Sequence, residues 1–194
     1  MSHPLRVYLA GPDVFLPNAV EIGNRKKALC QEYGFIGLFP FDNEVPMGTP
    51  GRVDRLIFDA NVAMMHEAEL GIFNLTPFRG PSADVGTAFE LGLMAGLRKP
   101  LFGYTNAAAP LLARVGGAIQ RPGGGWQDAN GWAIEDFGNA DNLMIDSCLA
   151  RQGCGLVRND AGGKLDDLDG FRMCLRMAAE TVATGAPEGA RAAG

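Results

Sequence analysis

The sequence predicts an α/β protein built on an open, mostly parallel sheet with helices on both faces. Two observations carry that prediction. Strand-like and helix-like patterns alternate throughout the first hundred residues, which is the rhythm of a parallel sheet with crossover helices. Leu70-Gly-Ile-Phe-Asn-Leu75 is also a continuous apolar run of strand length, as expected for a strand buried on both faces.

The elements follow in order. Leu5-Arg-Val-Tyr-Leu-Ala10 reads as the first strand, closed by Gly11-Pro12. Asn18 to Tyr33 carries a helical pattern through Val20, Ile22, Ala28 and Leu29, with Gly34 as its stop. Phe35 to Phe39 is the second strand, ended by Pro40. A polar stretch, Phe41-Asp-Asn-Glu-Val-Pro46, and a Gly/Pro loop to Arg52 come next. The second helix runs from about Val53 to Ala68, and residues 70–75 form the third strand. The Gly/Pro/Ser-rich loop Phe78-Arg-Gly-Pro-Ser-Ala-Asp84 leads into a third helix, and Lys99-Pro-Leu-Phe-Gly-Tyr104 is the fourth strand. Residues 106–141 break the rhythm. Gly123-Gly-Gly125 and Asp128-Ala-Asn-Gly131 are turn chemistry beside Trp126, Trp132 and Phe137, so this stretch reads as an insertion with a small hairpin-like element, serving as a lid or an interface arm. A helix opens near Asp141, and an amphipathic helix spans about Leu168 to Thr184. Residues 1–185 are expected to form one domain, followed by a disordered Ala/Gly-rich tail at 186–194.

Composition narrows the function. At 47% hydrophobic and 20% charged residues, with a net charge of −5, the chain has the make-up of a globular protein. Its basic residues are scattered, which argues against nucleic acid or an anionic membrane as partner and favours a small molecule. The four cysteines lack CxxC or metal-ligand spacing and there are two histidines, so no metal is expected, and reduced thiols in a cytoplasmic protein fit. The N-terminus opens polar and enters a strand directly, unlike a signal peptide. No apolar run approaches the ~20 residues of a membrane span.

Glu90 is the most telling residue. It is the sole ionisable side chain between Val85 and Leu97, and an unpaired carboxylate taken out of water costs several kcal/mol, roughly, and has its pKa raised. Asp84 lies at the mouth of the same helix. Together they make a candidate acid/base or nucleophile site, while Asp84 is equally suited to cap the helix. Ligands of open parallel sheets bind beyond the carboxyl ends of the strands, where the loops starting at Gly11, Pro40 and Thr76 converge on one rim. On that rim Phe15 stacks on a planar ligand or closes the core. Asp42, Asn43 and Glu44 contact a ligand or form a solvated turn. Arg79 binds an anion or pairs with a nearby carboxylate. Gly92 and Gly96 allow close approach to a strand or a partner subunit.

Five segments in order, Tyr8-Leu-Ala-Gly-Pro-Asp-Val-Phe15, Pro40-Phe-Asp-Asn-Glu44, Pro77-Phe-Arg-Gly80, Asp84-Val-Gly-Thr-Ala-Phe-Glu-Leu-Gly92 and Asp141-Asn-Leu-Met144, resemble the nucleoside 2-deoxyribosyltransferases. The resemblance implies a flavodoxin-like three-layer sandwich and cofactor-free transfer of 2-deoxyribose between nucleobases, for nucleotide salvage. It implies that Glu90 is the nucleophile at C1′, with Asp84 beside it on the sugar. Gly11, Asp13, Phe15, Asp42, Asn43, Glu44, Asn61, Phe78, Arg79 and Gly86 would contact substrate, Glu44 near the base. Asn61 falls near a position that is Asp in some members and helps protonate the base there. Asn142 would reach a neighbouring subunit's site in a homo-oligomer. Two rivals stand beside this: an N-glycoside hydrolase of deoxynucleosides or their 5′-monophosphates, whose phosphate Asp13 would repel, and a non-catalytic nucleoside- or nucleotide-binding module.

Overall fold

The computed structural model describes residues 3–42 and 52–184. Asn43, Glu44 and the 186–194 tail therefore lie outside the described residues. The elements run β1 (Leu5–Ala10), α1 (Ala19–Glu32), β2 (Phe35–Leu38), α2 (Val53–Glu67), β3 (Leu70–Asn74), α3 (Val85–Gly96), β4 (Leu101–Thr105), α4 (Leu111–Arg114), β5 (Ile119–Gln120), β6 (Trp126–Gln127), β7 (Ala133–Ile134), α5 (Leu143–Arg151), β8 (Leu156–Arg158) and α6 (Asp169–Ala183). Five strands pair in the order β2-β1-β3-β4-β8, all parallel. This is the flavodoxin-like order of a doubly wound sheet, with its switch point between β1 and β3.

Alternation along the strands builds two cores. Val7 and Leu9 of β1 join Leu70, Ile72, Phe102 and Tyr104 in a layer against α1 and α6. Tyr8 and Ala10 point the other way, with Phe73, Met64, Leu91 and Leu149, against α2, α3 and α5. Both faces of the sheet are thus covered, which is why β3 reads as unbroken apolar sequence. Helix α6 shows the matching period: Phe171, Cys174, Leu175 and Ala178 are all buried, a stripe at i, i+3, i+4 and i+7.

Three details differ from the sequence expectation. β8, absent from the pattern reading, supplies the fifth strand; it is three residues long, too short for periodicity to register. The 106–141 stretch holds α4 and a three-stranded antiparallel sheet, β5-β6-β7, rather than a single hairpin. Gly92 and Gly96 face open space, with nothing within 4 Å of a Cβ built at either, so they do not let α3 approach a strand. Among the described residues, no helix is long and apolar enough to cross a membrane.

The carboxyl ends of the strands are joined by a buried polar network. Lys26 of α1 and Asp13 form an ion pair at 2.6 Å, with their side chains 1% and 0% exposed. Asn74 Nδ2 donates to the other oxygen of Asp13 at 3.1 Å. Asn74 Oδ1 accepts from the Thr76 amide and hydroxyl, and Thr76 Oγ1 accepts from the Asn106 amide at 3.0 Å. Gly11 must be glycine here, because a Cβ would lie 2.4 Å from Asp13 Oδ1 and 2.5 Å from Asn74 Cβ. Replacing Lys26 by Met leaves the Asp13 carboxylate buried without its counter-ion. The Lys26→Met protein is expected to lose about 3–5 kcal/mol of stability in urea unfolding, and adding Asp13→Leu should recover a large part of that loss.

Candidate active site

Three rim loops and two helices enclose a cavity of about 500 Å³, lined by Gly11, Val14, Phe15, Pro40, Phe41, Ile57, Asn61, Asp84, Gly86, Thr87 and Glu90. The lining is apolar on the Phe15, Phe41 and Ile57 side and acidic at the start of α3. Gly86, Thr87 and Glu90 reach the cavity together because residues three and four apart share one helix face.

Asp84 is the N-cap of α3. Its Oδ2 accepts from the Thr87 amide at 2.9 Å and from the Thr87 hydroxyl at 3.2 Å, which satisfies one of the orphan amides of the helix start. Its Oδ1 has no hydrogen-bond partner among the described residues and remains available to a ligand. Capping therefore fixes the carboxylate in place without consuming it.

Glu90 lies further along the same helix and accepts a hydrogen bond from the Tyr8 hydroxyl at 2.6 Å on Oε1. Burial pushes its pKa up to about 7; the Tyr8 hydroxyl opposes this by favouring the ionised form, and the neighbouring Asp84 charge adds to the rise. Burial likewise raises the Tyr8 phenol, helped by the Glu90 charge and the shared hydrogen bond, so Tyr8 stays a neutral donor. Sequence reasoning passed over Tyr8, although strand alternation carried the signal. A tyrosine between core positions 7 and 9 must face the opposite side of the sheet, where α3 packs.

The other predicted site residues divide. Gly11, Phe15, Asn61 and Gly86 line the cavity with Asp84 and Glu90. Phe78 and Arg79 stand behind the wall: the Phe15 and Phe78 rings stack with centroids 5.1 Å apart, and the Arg79 guanidinium lies 5.2 Å and 4.6 Å from those two rings. Asp13 is not in the lining, and both its oxygens are engaged by Lys26 and Asn74 in the interior; the resemblance implied it as a substrate contact. Asp42 is engaged by Lys27 at 2.5 Å and by the Phe39 amide at 2.9 Å, closing a short 3-10 turn over Pro40–Asp42. Asn142 caps α5 by accepting from the Met144 amide and donates to Glu135 at 2.9 Å; it does not line this chain's own cavity. Val14, Pro40, Phe41, Ile57 and Thr87 are lining residues that sequence reasoning did not single out as contacts; the apolar ones resemble core in a sequence. No group of three or more His, Cys, Asp or Glu side chains among the described residues is placed to hold a metal ion.

A sequence model of the family described as "Nucleoside 2-deoxyribosyltransferase" matches residues 7–144, a span that contains every lining residue. The chain belongs to the nucleoside 2-deoxyribosyltransferase family. An uncharacterized protein of Schizosaccharomyces pombe is 35% identical over 164 residues, covering 76% of this chain and 78% of that protein. A solved structure described as a 2-desoxiribosyltransferase from Leishmania mexicana superposes with a TM-score of 0.68 at 29% identity, over 91% of this chain and 98% of that one. A conserved protein from Enterococcus faecalis, at 16% identity and a TM-score of 0.55 over 90% of this chain and 99% of its own, shares the fold. For this deoxyribosyltransferase-family chain, the parallel sheet in the order β2-β1-β3-β4-β8, flanked by helices, is thus an α/β fold shared with its solved structural relatives.

The raised Glu90 pKa has a consequence for stability. A carboxyl whose folded pKa exceeds its unfolded value of about 4.3 binds its proton more tightly in the folded state. The folded state is therefore increasingly penalised as pH rises from the unfolded value to about 7, and the penalty is constant above that. Glu90→Gln keeps the shape and the acceptor for Tyr8 while removing the charge. Its melting temperature is expected to exceed wild type at pH 8 by several degrees and to match it near pH 4, as read by scanning calorimetry.

Proposed function

We propose that the protein transfers 2-deoxyribose between nucleobases by double displacement at C1′, with Glu90 as the nucleophile. The observation that carries this reading is the pairing of Glu90 with Tyr8. One carboxylate oxygen is held by the phenol at 2.6 Å, the other has no partner among the described residues, and Glu90 lines the cavity. A carboxylate held at one oxygen in an apolar pocket is oriented and poorly solvated, which favours attack on an electron-poor carbon.

In the first displacement, Glu90 forms a bond to C1′ as the bond from C1′ to the base nitrogen breaks, and the departing base takes up a proton. Positive charge builds on the sugar at the transition state and is stabilised by the Glu90 and Asp84 carboxylates. A second base then attacks C1′ through its ring nitrogen from the vacated face and releases Glu90, giving net retention. The free oxygen of Asp84 suits a sugar hydroxyl. The Asn61 amide can hydrogen-bond a base but holds no acidic proton, so another acid protonates the leaving base. The apolar wall of Phe15, Phe41 and Ile57 fits the flat face of a nucleobase and keeps water from the intermediate.

Charge favours nucleosides over their 5′-monophosphates, though for a reason other than the one the sequence suggested. Asp13 is neutralised by Lys26 in the interior and does not confront a phosphate. Asp84 and Glu90 do, and no Lys or Arg is among the described lining residues. We further propose that the chain acts as a homo-oligomer in the cytoplasm. Exposed Phe58 and Phe89, with rings 6.1 Å apart on α2 and α3, and exposed Met144 next to Asn142 provide apolar surface for a second copy.

Glu90→Ala is expected to lower exchange of adenine for hypoxanthine on deoxyribose by at least about a thousandfold while the protein still melts cooperatively. Near wild-type exchange by that variant would refute the assignment. Because only the ionised form attacks, kcat/KM of the wild type should rise as pH increases through about 7. Tyr8→Phe removes the donor that favours the carboxylate, so its acidic limb should move to higher pH; an unmoved limb would disconnect Tyr8 from Glu90.

A further inference from the structure

Asp141 and Arg114 lie outside the cavity, on the segment between β4 and α5, yet they grip the loop that carries Asp84. Asp141 is 1% exposed. Its Oδ2 accepts from the Ala83 amide at 2.8 Å across 58 positions of sequence, and its Oδ1 accepts from the Asn142 amide at 2.8 Å. Its own amide donates to Asp146 at 2.8 Å. The Arg114 guanidinium stands 3.6 Å from Asp141 Oδ2. Arg114 Nε also donates to the Pro81 carbonyl at 2.9 Å, and its other nitrogens donate to the carbonyls of Ala109 and Ala140. The loop is thus held at the Pro81 carbonyl and the Ala83 amide, the second of these one residue before the N-cap.

The placement matters because Asp84 has only a few soft torsions between its carboxylate and fixed points. On its C-terminal side, Oδ2 is tied to Thr87. On its N-terminal side, the chain enters from Ala83, itself buried. With Ala83 anchored to Asp141, the backbone of Asp84 is held at φ −59° and ψ 134°, and the free Oδ1 keeps one direction. A displacement of about 1 Å in a group that meets the reacting sugar is enough to cost about a hundredfold in rate.

We propose that Asp141, steadied by Arg114, is a positioning residue for Asp84, so that the base of the 106–141 segment is a buttress of the reaction site. This rests on the reading of Asp84 and Glu90 as the groups that meet the sugar. It also gives the segment a role independent of any lid motion. Asp141 is not among the residues that line the cavity, and it acts through the amide of Ala83, in the Ser82–Ala83 peptide that leads into Asp84.

The test is a double-mutant cycle on the full chain. Asp141→Asn retains one acceptor oxygen but cannot serve the Ala83 and Asn142 amides together, because its second atom is a donor. It is expected to lower kcat for base exchange by about ten- to a hundredfold, with KM changed less than about threefold and cooperative melting retained. In an Asp84→Asn background, followed at high enzyme concentration so that the residual rate is measurable, Asp141→Asn should cost less than about twofold more. Full additivity, or no loss in the single variant, overturns the proposal. Arg114→Lys, which keeps the charge but not the fork, is read in the same cycle if Asp141→Asn does not fold, and additivity there overturns it equally. Glu90→Ala run in parallel separates the two readings. If Glu90→Ala still exchanges bases, the assigned reaction fails; if it is inactive while the cycle is additive, the buttress alone fails.

Discussion

The architecture depends on one buried ion pair. Lys26 and Asp13, 1% and 0% exposed and 2.6 Å apart, take two full charges out of water at the ends of the central strands. The desolvation penalty for such a pair is several kcal/mol per ion, roughly, and is offset only when geometry and additional hydrogen bonds are good. Here Asn74 supplies the additional bond and, through Thr76 and Asn106, extends the network from β1 across β3 to β4. The turn after β1 is thereby locked to its neighbours. Gly11, Val14 and Phe15 belong to that turn and also line the cavity, so the shape of one wall is set by electrostatics that never touch a ligand.

The opposite wall carries a different tension. Helix α3 places Glu90 where burial works against its ionised form, and a group so placed costs stability that a glutamine would spare. Proteins retain such groups where activity needs them. Tyr8 limits the cost without removing it. The phenol favours the carboxylate, yet the Glu90 pKa still sits near 7, so burial wins over one hydrogen bond. The two walls are therefore complementary in kind: a fully compensated charge pair gives rigidity, and an under-compensated carboxyl gives reactivity.

Much of this was legible in the sequence, and the parts that were not share a cause. The strands and helices of the first hundred residues were readable because apolar period and turn residues are local signals. The convergence of the Gly11, Pro40 and α3 segments followed from the rule that sites lie beyond the carboxyl ends of parallel strands. Glu90 stood out because its chemical isolation is visible along the chain itself. Tyr8, Lys26 and Asp141 were invisible as partners because each acts across a distance in sequence: 82 positions separate Tyr8 from Glu90 and 58 separate Asp141 from Ala83. Asp13 was drawn toward the substrate by its position within a motif. Position within a motif places a residue near a site without deciding which way its side chain turns.

What does decide it is the use each carboxylate makes of its two oxygens. Around the rim and the loop behind it, Asp13 is held by Lys26 and Asn74, Asp42 by Lys27 and the Phe39 amide, and Asp141 by the Ala83 and Asn142 amides. Glu135 is held at both oxygens by Asn142 and the Leu143 amide. Each of these acids is held at both oxygens by the fold, which fixes its orientation and shares its charge with donors of the protein. Asp84 and Glu90 differ. Each is fixed by one oxygen, to Thr87 and to Tyr8 respectively, each leaves the other oxygen without a partner among the described residues, and both residues line the cavity. One bound oxygen supplies orientation and one open oxygen supplies chemistry. That division sets these two carboxyls apart from the acids around them; the Asp84 cap is legible locally, whereas the bond from Tyr8 to Glu90 spans 82 positions that no local pattern in the sequence encodes.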